Sequence, residues 1–147
     1  MPSVLRSLIV AHPAESMFAL IDGVESYPQY LPWCSEVRVF ERTPTLTHAR
    51  LALQVRGVRT EVTTRNRNEP PEWIRLELVD GPFRHFTGHW HIRPLGEEGC
   101  AIEFAANYAF ASRMTELLIA PAFGSLVEGL VDRFVERADA LKAASRP

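Results

Sequence analysis

The C-terminal stretch from 113 to 143 carries the clearest pattern of apolar and polar positions. Its apolar residues recur at spacings of three and four, the period of an amphipathic α-helix, and they are Phe123, Leu126, Val127, Leu130, Phe134, Ala138 and Leu141. A single helix of this extent would be about 45 Å long. It could not cover its own apolar side, so the rest of the chain must supply a broad apolar surface. Pro121 and Gly124 interrupt the stretch and predict a kink there.

The middle of the chain predicts that surface, because apolar and polar residues alternate there at the period of a β-strand. Strands are predicted at Val4–Ala11, Ser35–Glu41, Ala49–Arg56, Arg59–Asn66, Trp73–Val79, His85–Arg93 and Cys100–Phe110. Ala14–Ile21 has helical spacing, and the proline-rich Val24–Trp33 predicts a short helix or a pair of turns. Connections of hairpin length indicate an antiparallel sheet with one solvated and one buried face.

Together these elements predict one α+β domain over residues 1–147, with an ordered core at about 4–143. Six to seven antiparallel strands would wrap around the long C-terminal helix, with two short helices after the first strand. The predicted inner face mixes large aromatic side chains such as Trp90, Phe104 and Tyr108 with the small residues Gly88 and Ala106. This mixture fits either a closed core or an apolar pocket beneath a kinked helix.

Composition narrows the classes of function. The hydrophobic share of 46% and charged share of 23% are typical of a soluble globular protein, and the formal net charge of −2 gives no basic field that would recruit DNA. Cys34 and Cys100 are too few for a disulfide framework, and we expect them to be reduced and packed. The N-terminus lacks a signal-peptide pattern, and no apolar run reaches the ~20 residues of a membrane span. We therefore expect a cytoplasmic protein, at most peripheral to the inner membrane.

Few residues are placed for chemistry. His85, His89 and His91 share a strand face, but it is the solvated one, and a metal would need further ligands from another strand. No metal site is predicted. Asn66 and Asp80 lie at strand ends, where the mouth of a cavity could be, although turn roles also explain them. Because the inner face offers almost no acid or base, it favours binding apolar matter over transforming it.

A set of arginines forms a second candidate site. They lie on the outward face of two adjacent predicted strands and are Arg50, Arg56, Arg59, Arg65 and Arg67. Because Glu61 lies among them, one interpretation is a solvated, ion-paired sheet surface. The other is a docking surface for RNA or ribosomal phosphates. No exposed aromatic residues accompany the arginines to stack bases, which weakens the case for single-stranded RNA.

Four motifs, in the same order along the chain, resemble the coenzyme-Q-binding START-like family. This family lies within the polyketide cyclase/dehydrase and lipid-transport superfamily and includes ribosome-association toxins of the RatA type. The motifs are YPQYLPWC at Tyr27–Cys34, TTRN at Thr63–Asn66, LVDGPF at Leu78–Phe83 and G-x-W-x-I-x-P-L at Gly88–Leu95. The resemblance implies a helix-grip (START/Bet v 1-like) fold with a hydrophobic tunnel between the sheet and the C-terminal helix. It therefore favours the pocket over the closed core.

The resulting expectation is non-enzymatic binding of a hydrophobic ligand, with ubiquinone or a related isoprenoid lipid bound in support of respiration. No cofactor is required beyond such a lipid. The residues expected to contact it are Trp33, Leu53, Asn66, Asp80, Phe83, Trp90, Phe104, Tyr108, Phe123, Val127 and Leu130, with Asn66 and Asp80 hydrogen-bonding a quinone carbonyl or its water.

Two alternatives stay open. One is a RatA-like toxin that blocks the joining of ribosomal subunits, with the arginine face contacting a subunit. The other is a polyketide cyclase or dehydratase, which would need an acid or base facing the cavity.

Overall fold

Seven strands in one antiparallel sheet form the framework of the computed structural model, which describes residues 3–145. The strands are β1 Ser3–Val10, β2 Cys34–Thr43, β3 Leu46–Val55, β4 Val58–Glu69, β5 Trp73–Asp80, β6 Phe83–Leu95 and β7 Gly99–Phe110. Their order in the sheet is β1-β7-β6-β5-β4-β3-β2, so consecutive strands from β2 to β7 are neighbours and β1 pairs with β7. The predicted α+β helix-grip fold with an antiparallel sheet is confirmed.

Four helical segments accompany the sheet. They are α1 Ala14–Asp22, a 3₁₀ helix at Val24–Gln29, α2 Arg113–Glu128 and α3 Leu130–Ala144. The 3₁₀ helix contains Pro28 and confirms the short helix or turns predicted between the first two strands. The described part of the chain has no single helix with the length and apolarity of a membrane span. Only α2 and α3 taken together, as a pair bent by 44°, have that length and composition.

The C-terminal helix breaks at a different place from the one predicted. Helix α2 runs through Pro121 and Gly124 and ends at Glu128, and α3 continues from Leu130 at an angle of 44°. Pro121 lies on the solvent side of α2, where a carbonyl that loses its N–H partner can bond water instead. The break lies at Gly129, and it changes the buried side of α3 to Val131, Phe134 and Ala138.

Two ion pairs fasten α3 to the N-terminal part of the chain. The Arg6 guanidinium donates to both carboxylate oxygens of Asp132, at 2.9 and 3.1 Å. Nε2 of the buried His12 lies 2.6 Å from Oδ1 of Asp139. Because Arg6 is in β1, at an edge of the sheet, the first of these contacts holds the helix across the sheet edge.

A polar network holds the end of α1 against β2, β3 and β4. The Arg42 guanidinium donates to Glu25 Oε2 at 2.7 Å and to Asp22 Oδ2 at 3.0 Å. The fully buried Thr47 hydroxyl and the Asn68 amide both donate to Asp22 Oδ1, at 2.8 and 3.1 Å. The hydrogen bond from Arg42 lowers the pKa of Glu25 below its ordinary value. These bonds fix the junction between α1 and the 3₁₀ helix, from which the 3₁₀ helix approaches the core.

Candidate ligand-binding cavity

An apolar cavity of about 140 Å³ lies between the inner face of the sheet and the helices. Nine of the residues expected to contact a ligand line it, namely Trp33, Leu53, Asn66, Phe83, Trp90, Phe104, Phe123, Val127 and Leu130. Apart from Phe83, which precedes a register shift in the pairing of β6 with β7, the strand residues among them share the inward parity of their strands, and the alternation of the sequence therefore locates them. The helix–sheet interface is therefore hollow at its centre.

Further wall residues were not among those expected to contact a ligand. They are Ile21, Val24, Tyr27, Leu51, Val62, Thr64, Ile74, Leu76, Phe86, Leu126 and Phe134. Most of them have the same strand parity or lie on the same helix face as a residue expected to contact a ligand. The same sequence periodicity therefore predicts that they face the cavity. Ile21, Val24 and Tyr27 are different, because they come from α1 and the 3₁₀ helix. No local pattern shows that these two elements reach the cavity.

Asp80 is not in the cavity wall, which corrects the expectation that it meets a ligand. The pairing of β4 with β5 shifts so that Thr64 opposes Leu78 whereas Thr63 opposes Asp80, and Val79 is the extra residue. Such a bulge reverses the facing of the residue that follows it. Asp80 therefore lies exposed beside Thr63, whose hydroxyl accepts from Arg50 on the outer face of the sheet.

Tyr108 also lies outside the wall, although its side chain is buried. Its ring packs edge-on against Phe123, with the centroids 5.1 Å apart, and also contacts Phe83, Phe86 and Phe110. Phe83, Phe86 and Phe123 line the cavity themselves, so Tyr108 forms a second layer behind them. It supports the aromatic wall and does not contact the void.

Asn66 supplies the directed polar group of the wall. Its side chain is buried, and its Oδ1 accepts a hydrogen bond of 2.8 Å from the Thr64 hydroxyl. Within residues 3–145 its Nδ2 group has no hydrogen-bond partner, so it can donate to an oxygen atom of a ligand.

Tyr27 is the only titratable side chain among the described residues that line the cavity. Burial raises its pKa well above the ordinary value, so the hydroxyl stays protonated. That hydroxyl already donates its hydrogen to the carbonyl of Ile21. The wall is therefore suited to holding an apolar molecule and offers no free acid or base to one.

A surface groove of about 310 Å³ adjoins the cavity. Trp33 and Leu126 line both spaces and are half-buried, so they form the boundary between cavity and groove. The remaining groove residues come from the β3–β4 hairpin and from the helices around the bend, and they are Gln54, Val55, Arg56, Ala122, Ser125, Gly129 and Arg133. The groove therefore lies directly outside the part of the cavity wall that Trp33 and Leu126 form.

The structure places the arginines of the second candidate site in two different regions. Three are on the outer face of the sheet in ion pairs of 3.3–3.5 Å, Arg50 with Glu61, Arg59 with Glu36 and Arg67 with Glu77. Arg65 lies on the same strand face as Arg67. Arg56 differs from the prediction, because it occupies the β3–β4 turn and lines the groove.

The histidines of β6 lie on the outer face, as their parity predicts. His91 stacks on Trp73 with the ring centroids 3.8 Å apart, and His89 Nε2 lies 2.9 Å from Oε2 of Glu103. Among the described residues no group of three or more side chains is placed to hold a metal ion.

Comparison with known proteins shows which protein family this chain belongs to. Residues 10–135 match the family model described as polyketide cyclase/dehydrase and lipid transport. The ribosome association toxin RatA of Escherichia coli (strain K12) is 36% identical over 144 residues, which is 98% of this chain and 91% of that protein. The mitochondrial coenzyme Q-binding protein COQ10 homolog B of Xenopus laevis is 24% identical over 90% of this chain and 56% of its own length.

A solved structure shows the same fold. The Zhui aromatase/cyclase of Streptomyces sp. R1128 superposes with a TM-score of 0.84 over 99% of both chains, at 18% identity. Since the family model covers most of the chain and RatA matches nearly all of it, this chain belongs to the polyketide cyclase/dehydrase and lipid-transport family.

Proposed function

We propose that the protein binds an apolar small molecule in the cavity beneath α2 and α3, and that this molecule is ubiquinone or a related isoprenoid lipid. The observation that carries the proposal is the void itself, whose wall is aliphatic and aromatic apart from Thr64, Asn66 and the engaged hydroxyl of Tyr27. The similarity to a coenzyme Q-binding protein supports the choice of ligand.

The size of the void limits how much of the ligand it holds. An apolar cavity of roughly 150 Å³ admits benzene, whereas pockets for drug-sized ligands are roughly 300–1,000 Å³. The cavity of about 140 Å³ therefore holds one ring or one short isoprenoid segment. The rest of the molecule would pass between Trp33 and Leu126 into the groove, and the Nδ2 group of Asn66 would donate to a carbonyl within the cavity.

Titration with a short-chain ubiquinone tests this proposal. Trp33 and Trp90 line the cavity, so quinone binding should quench tryptophan fluorescence and raise the melting temperature. Leu53→Phe fills part of the void and should abolish binding while the protein stays folded. Leu117→Phe makes the same change at a position on α2 that is 66% exposed, and it should bind like the parent protein. Equal binding by both variants, or no binding to the parent protein, would refute the proposal.

Ribosome association is the second candidate, and the 36% identity to RatA over nearly the whole chain supports it. The surface for this role is the outer face of β3 and β4, although ion pairs neutralise much of its charge. Reversing the charge of Arg65 and Arg67 to glutamate should prevent co-sedimentation with ribosomal subunits, whereas Leu53→Phe should not affect it. Unchanged sedimentation of the charge-reversed protein would exclude this surface.

A cyclase or dehydratase activity receives no support from the cavity wall, because that chemistry needs a free acid or base beside the substrate. Tyr27 is the one titratable group that the described wall offers, and its hydroxyl is already bonded.

A further inference from the structure

Two arginines lie in the groove at the mouth of the cavity. Arg56 enters it from the β3–β4 turn and Arg133 from the first turn of α3, and both are exposed. Within residues 3–145 neither forms an ion pair, in contrast to Arg50, Arg59 and Arg67 on the outer face. The described residues that line the groove include no acidic side chain. The groove thus has uncompensated positive charge beside an apolar cavity.

The backbone at Arg56 gives a second, independent observation. Arg56 has a φ of 52° and Gly57 a φ of 77°, so both central residues of the two-residue hairpin loop are left-handed. Asparagine, aspartate and glycine are the residues that normally occupy such positions, because a longer side chain is strained there. An arginine held in this conformation is locally unfavourable, and strained residues of this kind cluster at functional sites.

The mouth of the cavity is lined by both apolar and polar residues. Trp33 and Leu126 continue the apolar wall outward, and Ser125 and Gln54 add hydroxyl and amide groups beside the two arginines. The guanidinium fork matches the oxygen geometry of carboxylate and phosphate. A molecule with an anionic end and an apolar body would meet complementary groups along its whole length.

We propose that the groove is an anion-binding subsite and that the protein prefers an amphiphile with a carboxylate or phosphate headgroup. The apolar chain or ring lies in the cavity, and the headgroup lies between Arg56 and Arg133. This inference rests on the proposed binding of an apolar molecule in the cavity and adds the chemical class of the ligand. Ubiquinone is uncharged, so the part of it that passes into the groove forms no ion pair with the two arginines.

Pairs of ligands that differ only in the headgroup test the subsite. Farnesyl phosphate is compared with farnesol, and decanoate with decanol, by calorimetric titration at low salt. We expect the parent protein to bind at least one anion about tenfold more tightly than its alcohol. The preference should shrink as salt is added, because both arginines are exposed and are screened. A preference for phosphate alone, for carboxylate alone or for both supports the subsite and identifies its headgroup.

The matched variants carry the same loss of charge at different places. Arg56→Gln combined with Arg133→Gln should remove the preference and leave alcohol binding unchanged. Arg84→Gln combined with Arg93→Gln, at two exposed positions outside the groove, should keep it. If the alcohols bind but the anions have no advantage, or the advantage survives in the Arg56/Arg133 variant, the subsite is refuted and cavity binding stands. If neither alcohols nor anions bind the parent protein, both proposals fail.

Discussion

Replacing Trp90 with alanine should destabilise the fold by about 3 kcal/mol and enlarge the cavity. Trp90 is 3% exposed, and its ring packs on Phe104 and Phe134 with centroid distances of 4.6 and 5.3 Å. Truncation of a buried aromatic residue to alanine generally costs about 3–5 kcal/mol. The lower end applies here, because part of the ring already faces the void and has no partner atoms there to lose.

Trp73→Ala is the matched control on the other face of the same sheet. Trp73 stacks on His91, and the Arg75 guanidinium lies 4.3 Å from its ring centroid, but the residue is only half-buried. Its loss should cost about 1 kcal/mol, as is typical of stacking and cation–π contacts near the surface. Urea denaturation followed by far-UV circular dichroism measures both variants without relying on tryptophan emission, provided that the m-value stays constant.

The two outcomes that refute this reasoning differ in meaning. A loss of about 5 kcal/mol for Trp90→Ala would mean that the ring is packed on all sides and that the void is absent. A loss no larger than that of Trp73→Ala would mean that the inner face is not the core. A bound ligand adds a further test: at a free concentration of 100 times Kd it should stabilise the parent protein by about 2.7 kcal/mol. It should stabilise the Trp90→Ala protein less.

Three further predictions concern the polar network and two glycines. Arg42→Met leaves the Asp22 and Glu25 carboxylates without their cation. Since the Arg42 side chain is only 33% exposed, the free energy of unfolding measured in urea should fall by about 2 kcal/mol. An unchanged free energy of unfolding would contradict the network. Arg42 lowers the pKa of Glu25 below its ordinary value of 4.5, so this carboxylate contributes stability above that pH and loses it as the pH falls through the lower folded value. Because Glu25 is half exposed, this contribution to stability is well below about 1 kcal/mol. Glu25→Gln should make the free energy of unfolding fall less steeply as the pH is lowered. An unchanged dependence on pH would refute the contribution of Glu25. Gly129→Ala should stabilise by about 0.4–1 kcal/mol, because φ is −87° and the nearest atom to a new Cβ is 3.5 Å away. Gly88→Ala should destabilise, because its Cβ would lie 3.1 Å from the Ala105 carbonyl oxygen, and thermal shifts of the same sign in both variants would contradict this contrast.

Strand parity explains how much of the cavity wall the sequence predicts. Ile102, Phe104 and Ala106 alternate with polar or small residues, and each is buried on the inner face of β7. The parity argument fails for Asp80, because one bulged residue reverses the facing of everything after it. A bulge depends on how two strands pair, and a single strand carries no pattern that reveals it.

The polar network at Arg42 shows a different limit. Asp22 lies 20 residues from Arg42 and 46 from Asn68 along the chain, so no local spacing relates them. Asp22 and Gly23 mark the end of a helix in the sequence, and this is the role that local propensity can assign to them. Only the packing of α1 across β2, β3 and β4 gives Asp22 its partners.

The bend and the cavity occur at the same place. Every α2 or α3 residue that lines the cavity lies between Phe123 and Phe134, on both sides of Gly129. The void lies beneath the junction of the two helices, which meet at 44°. The helical spacing of apolar residues predicts a helix with one apolar side, and the structure has both. That spacing does not show where the apolar side stops contacting the sheet. The bend lies at Gly129, and because this residue also lines the groove, the mouth lies beside the void.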